Sequence, residues 1–388
     1  MIRVALTYSR RKRRIKEVLC MKFSIDRDSF AKLLKKVDGV CAKTGNFTIL
    51  ANCLIEAFDN QITVTGTDNS FTLRVFSAAN ITEEGKVVVS SKLLSDTLQG
   101  LSSGTDVLLY TNGNQLQIEC GHFKSRILLA DDKEYPPIPS LTASSAVTIN
   151  GLVLKNLIDK IAFSISKDET RPDFTGAFLT IAPNGIIQLV STDGHRLSRV
   201  ESDVTLNGKF ASNFEEGIIV MGKSLNEISK LLTDESIRMD FIKDKFILQA
   251  DSFVVYSNII AGRFPDFSKV IPENPPHKAI IRREDFVNLI RRAMTYTSKT
   301  SVVRLDLTHG KLAISSYNQN GEEMSDLVEC EYDGSGVASG FNYNYISQIL
   351  SNIGCDVVSL EIVDPDSPAV IRDVATDRLD YIIMPMQL

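Results

Sequence analysis

The chain is 388 residues long, 43% hydrophobic and 23% charged, with a formal net charge of −5 and no tryptophan. That size and balance fit two or three globular domains, and no apolar run approaches the length needed to cross a bilayer. Cys20, Cys41, Cys53, Cys120, Cys330 and Cys355 form no CxxC pair and the four His are scattered, so a disulfide framework is excluded, no metal or other cofactor is expected, and reduced thiols in the cytoplasm are.

The first stretch differs from the rest. Residues 3–16 carry seven Lys/Arg, and without residues 1–20 the net charge falls from −5 to −11, because 36 basic and 47 acidic residues remain. The stretch lacks the apolar core and cleavage site of an export signal. Its composition suits a nucleic-acid-binding tail. The plainer reading prevails: residues 1–20 are an extension outside the fold, which begins at Met21 with the strand-like MKFSI.

From Met21 onward one pattern recurs three times: a helix, two strand-like runs, a second helix, two more strand-like runs. Apolar spacing predicts first helices at 25–37, 149–163 and 281–294, and second helices at 90–101, 221–232 and 341–353. The repeat is domain-sized rather than solenoid-sized. In module 1, residues 48–58 and 61–76 alternate like antiparallel strands around Asp59-Asn60, and DVLLY and QLQIEC form a hairpin on an Asn-Gly turn. Prolines within 135–144 and 270–278 interrupt both periodicities and mark joints. The domains are therefore placed at 21–144, 145–272 and 273–388. Each is α+β, with antiparallel sheets and two short helices.

The helix faces carry a second signal. Phe30, Leu33, Leu34 and Val37 form an apolar stripe that turns Lys32, Lys35 and Lys36 outward; Leu154, Leu157, Ile158 and Ile161 do the same for Lys155 and Lys160. Phe286, Leu289, Ile290 and Ala293 leave Arg291 and Arg292 exposed, and Lys92, Lys223 and Lys230 come from the second helices. Solvated lysines are ordinary on one helix. Their recurrence in five of six helix segments of an acidic body reads as a surface for duplex backbone, blind to sequence. The segment 342–352 has no Lys or Arg and breaks the pattern.

No constellation reads as catalytic. Thr192-Asp193-Gly194-His195-Arg196 sets an Asp two residues before a His, near Ser191 and Ser198, but no nucleophile elbow, zinc pattern or Gly-rich phosphate loop accompanies it. Gly194 suggests a turn. Two apolar segments look built to bind: Arg263–Phe267 before a linker, and Ile382–Leu388. An apolar chain end must pack or bind, and Met suits adaptable surfaces.

MKFSIDRDSF, TGTD (65–68), STDGHRLSRV (191–200), GRFPDF (262–267) and YIIMPMQL together carry a resemblance. From Met21 to Leu388 the chain resembles the bacterial DNA polymerase III β subunits, the replicative sliding clamps. The resemblance implies three similar clamp domains, closed head-to-tail by two copies into a ring with helices lining the hole. Such a ring encircles duplex DNA, slides, and tethers the replicative polymerase, the clamp loader and repair proteins through short linear motifs, with no chemistry of its own. The runner-up is a scaffold that oligomerises but never meets DNA.

Carried over residue by residue, the family's peptide groove comprises Phe174, Thr192, Gly194, His195, Arg196, Leu197, Pro265, Lys269, Val270, Ile382, Ile383, Met384, Pro385, Met386 and Leu388. Phe174 stands where a smaller aliphatic is frequent, and Gln387 replaces a common Arg. Arg171 is retained among the DNA-touching positions, to join Lys32, Lys36, Lys92, Lys155, Lys160, Lys223, Lys230, Arg291 and Arg292. Pro172-Asp173 replace a frequently aromatic pair, and the Lys43-Thr44-Gly45 loop lacks a central Arg. For the contact between module 1 and module 3, the candidates are Ile127, Met294 and Tyr296.

Overall fold

In a computed structural model, the structure describes residues 21–42, 49–140, 142–143, 147–207, 213–296, 301–318 and 320–387. Residues 1–20, the Lys43-Thr44-Gly45 loop and Leu388 lie outside the described residues. Six helices fall where the periodicity places them: α1 (Arg27–Asp38), α2 (Ser91–Gln99), α3 (Gly151–Ala162), α4 (Gly222–Leu231), α5 (Arg283–Met294) and α6 (Tyr343–Asn352). Four start on a side-chain cap that satisfies an orphan backbone N–H. Asp26 accepts from Ser29 N, Ser90 from Leu93 N, Asn150 from Leu152 N and Asn342 from Asn344 N. The cap explains why α1 starts two residues later than its apolar spacing suggested: Ile25 and Asp26 end the strand Lys22–Asp26.

Contacts divide the chain into two units, the described parts of Met1–Ser144 with Ile237–Asn258, and of Ser145–Ser236 with Ile259–Leu388. In the first unit, α1 and α2 pack side by side and bury Phe30, Leu34, Val37, Leu94 and Leu98. Leu33 is only half-buried. The strands Asn52–Phe58, Gln61–Thr67 and Phe71–Ala78 form an antiparallel meander, with Asp59 and Asn60 both at positive φ in the first turn. The strand Phe253–Ile260, predicted within module 2, adds its first part to this sheet: Phe253 lies opposite Val75 and Ser257 opposite Phe71.

The second unit repeats the device. Strand Arg196–Asp203 pairs antiparallel with Leu379–Ile383, setting Leu197 opposite Ile382 and Arg199 opposite Asp380. Charges alternate across these strands: Arg199 and Arg372 both pair with the buried Asp380, and Arg372 and Lys278 with the buried Glu361. A four-stranded sheet orders Glu323–Glu329, Lys311–Tyr317, Val302–Thr308 and Val337–Asn342, with Glu323–Glu329 at its edge. One hydrogen bond recurs in the second and third modules: Ser191 Oγ donates to the Ile161 carbonyl at the end of α3, and Ser316 Oγ to the Ala293 carbonyl at the end of α5.

Candidate functional site

Strand Ile186–Thr192 turns into Arg196–Asp203 through Asp193-Gly194-His195. Asp193 builds the turn: its carboxylate accepts from His195 N (3.0 Å) and Arg196 N (3.1 Å), and pairs with Arg196 Nε at 3.0 Å. Thr192 Oγ1 donates to the Arg196 carbonyl at 2.6 Å and accepts from Gly194 N at 3.0 Å. Gly194 has φ +90°, where a side chain is strained, and a Cβ there would stand 2.8 Å from Arg171 Nη1. Arg196 is buried; it also bonds Gln348 on α6 and the Phe163 carbonyl, with Tyr345 stacked 4.5 Å below the guanidinium. Burial raises the Tyr345 hydroxyl above its usual range.

This turn, the segment 264–270 and the last strand enclose a cleft of about 200 Å³. Its apolar body is Phe174, Leu197, Phe264, Pro265, Phe267, Val270, Ile382 and Met384, with Thr192, Gly194, Arg171, Arg196 and Asp266 among them. Behind it, Phe264 and Phe178 stack at 5.2 Å, and Phe267 meets both edge-on at 6.3 Å. Val190, Ile219 and Val370 complete the buried cluster. Asp266 is held below the usual carboxylate range, first by the Ser268 hydroxyl and then by Lys269.

Nine of the fifteen expected groove residues thus come together: Phe174, Thr192, Gly194, Arg196, Leu197, Pro265, Val270, Ile382 and Met384. His195 is exposed beside the cleft, and its carbonyl accepts from Met384 N at 2.9 Å. Lys269 stays exposed, paired with Asp266 at 3.2 Å. Ile383 is turned into the core because strand neighbours alternate. Pro385 and Met386 lie past the lining, where Met386 N donates to the Gly340 carbonyl at 2.8 Å. Phe264, Asp266 and Phe267 were absent from the expected set although GRFPDF announced them; sequence does not show which side of that segment turns inward.

The cations expected on DNA separate. Lys32, Lys36, Lys92, Lys223 and Arg291 are exposed, and Lys160 is half-buried. Lys155 bonds Asp159 (2.8 Å) and Ser229 (2.9 Å), Lys230 pairs with Glu227 at 2.7 Å, and Arg292 pairs with Asp326. Arg171, expected in a DNA-touching loop, stacks 3.9 Å over the Phe174 ring in the cleft. Of the expected inter-copy contacts, Met294 and Tyr296 are exposed but Ile127 is buried. Ile127 faces its own core opposite Leu116, so the outward residues of its strand are Arg126 and Leu128. Ser191 and Ser198 are buried, the latter 2.6 Å from Ser164 Oγ, and neither serves as a nucleophile.

Three matching modules of antiparallel sheet and short helices define a fold of the clamp type. Family models for the N-terminal, central and C-terminal domains of the DNA polymerase III beta subunit match residues 21–139, 148–266 and 268–387. The chain belongs to that family, the bacterial beta sliding clamps. The beta sliding clamp of Chlamydia pneumoniae is 28% identical over 95% of this chain and 99% of its own length, and that of Proteus mirabilis is 28% identical over 95% and 100%. The crystal structure of the Pseudomonas aeruginosa subunit superposes with a TM-score of 0.89 at 25% identity, covering 95% of this chain and all of that one. A Bartonella birtlesii clamp bound to griselimycin gives 0.88 at 26%, covering 95% and 100%. As in the rest of this family, the chain is a non-catalytic accessory subunit of DNA replication. No helix among the described residues is long and apolar enough to cross a membrane.

Proposed function

We propose that two copies of this chain, each with domains at 21–144, 145–272 and 273–388, close head-to-tail into a ring. The ring encircles duplex DNA on the nucleoid and tethers the replicative polymerase, the clamp loader and repair proteins. One observation carries the closure. The fourth strand of module 1, Phe71–Ala78, pairs with the last strand of module 2, and the fourth strand of module 2, Arg196–Asp203, with the last strand of module 3. The fourth strand of module 3, Glu323–Glu329, and the last strand of module 1, Phe123–Ala130, lack this partner among the described residues. Open edges are a liability that a second copy removes, and a two-fold ring satisfies both at once. The internal repeat supports one register: equivalence of Ser191 with Ser316 makes Leu197 correspond to Glu323, and equivalence of the strand pairings that run from Lys22–Asp26 and from His277–Arg282 makes Ile382 correspond to Arg126, so these two oppose each other between copies. Both are exposed.

Sliding needs loose, sequence-blind phosphate contacts, which exposed Lys32, Lys36, Lys92, Lys223 and Arg291 supply. The cleft takes an extended peptide whose buried Leu or Phe anchor contributes roughly 1.5–3 kcal/mol. Retention on DNA tests the whole reading. The protein loaded on a closed circle should stay bound through a salt wash and leave within minutes of linearisation. Equal loss from circle and line, or a monomeric mass in solution scattering at micromolar concentration, would refute the ring.

A further inference from the structure

Three charged residues line the cleft, and two are already neutralised. Arg196 pairs with Asp193, and Asp266 pairs with Lys269 at 3.2 Å and accepts from Ser268 Oγ at 2.6 Å. The third, Arg171, is exposed and has no carboxylate within ion-pair distance among the described residues. Asp168 spends its carboxylate on Thr170 Oγ1 (2.7 Å) and N (3.0 Å), and these bonds, ahead of the Arg171 charge, hold it below the usual carboxylate range. Arg171 is nonetheless held in place. Its guanidinium lies 3.9 Å over the Phe174 ring, and the missing side chain of Gly194 leaves the space that Nη1 occupies. Stacking of this kind fixes the plane of the guanidinium while its N–H fork stays free for a planar anion.

We propose that Arg171 is a specificity residue of the cleft that reads the terminal carboxylate of a partner chain ending at its apolar anchor. This rests on the peptide-docking reading above. In an extended peptide, successive side chains point to opposite faces, so an acidic neighbour of the anchor is turned away from the rim. The main-chain carboxylate of the anchor residue itself is attached to the same Cα as the side chain in the cleft. It is the anion that a single short cleft can meet together with its anchor, through a charge-assisted, bidentate pair.

The probes are N-acetylated pentapeptides with neutral side chains and a last residue of Leu or Phe, each made as free acid and as C-terminal amide. They are titrated calorimetrically into the full-length protein at low salt. The acid should bind about five- to tenfold more tightly than the amide. Arg171→Gln should close that gap by weakening the acid alone, and Arg171→Lys should keep part of it. Equal affinities of acid and amide for the unaltered protein, or a gap that survives Arg171→Gln, overturn the assignment and leave the cleft as a docking site. An Asp two positions before the anchor that outperforms the terminal carboxylate also overturns it, by giving the cation to a side chain. If neither form binds, the docking reading itself falls and takes this one with it.

Discussion

Arg196 shows how one residue of a binding turn can be structural first. Its guanidinium ties the turn to Gln348 on α6 and to the Phe163 carbonyl, with Asp193 as counter-charge. Arg196→Met leaves that carboxylate, the Gln348 side chain and the Phe163 carbonyl short of a donor, which should cost about 2–3 kcal/mol of stability. His195 is exposed, so His195→Ala should stay within about 0.5 kcal/mol. Urea unfolding of the two variants checks the contrast, and similar losses would mean that Arg196 is not the strut. The sequence placed both residues in one motif, and Asp193 looked like a partner for the imidazole. What it does not disclose is that Asp193 caps its own turn and pairs one residue further along. That choice follows from the positive φ of Gly194, a property of the folded backbone.

At the scale of elements, the helices were legible because a 3.6-residue apolar period survives in every module. Their partners were not. Nothing in the strand Phe253–Ile260 says that it leaves its own repeat to extend the sheet of module 1, since strand pairing is a long-range choice. Ile127 failed for a related reason: alternation defines two faces but not which of them is buried. The start of α1 is held by a local device as well. The Asp28 carboxylate takes hydrogen bonds from Ser103 Oγ (2.5 Å), Gly104 N (2.9 Å) and Arg27 Nη1 (2.6 Å), tying α1 to the loop that follows α2. These partners, Ser103 foremost, hold its carboxyl down at about 2. A depressed carboxyl stabilises the fold above its unfolded pKa of about 4, and the contribution is lost as pH falls through the folded value. The thermal midpoint of the unaltered protein should therefore fall between about pH 4 and 2 more steeply than that of Asp28→Asn. Parallel curves over that window would remove Asp28 from the acid response.

At the scale of the whole molecule, three repeats and two strand pairings leave one such pairing unmade among the described residues of each chain. The edge strand Glu323–Glu329 alternates exposed and half-buried residues along its whole length. Phe123, Leu128, Met294, Tyr296 and Leu327 are all among the exposed large apolar side chains. Hydrophobic residues singly exposed need no explanation, but five near the two unpaired edges and the end of α5 fit surfaces buried on assembly. The register derived from the internal repeat makes the proposal specific, because Glu323 of one copy meets Arg126 of the other at both junctions of the ring. Cross-strand pairs of opposite charge contribute roughly 0.2–1 kcal/mol, and like charges set opposite cost a comparable amount. Glu323→Arg should accordingly weaken dimerisation at least about fourfold, because lost attraction and added repulsion both count over two junctions, and Arg126→Glu should do the same. The double variant, with both charges exchanged, should recover most of the loss, and sedimentation across a concentration series reads all three. Additive weakening in the double variant would place Glu323 and Arg126 out of contact and shift the register of the junction, whereas three variants with the dissociation constant of the unaltered protein would remove both edge strands from the assembly.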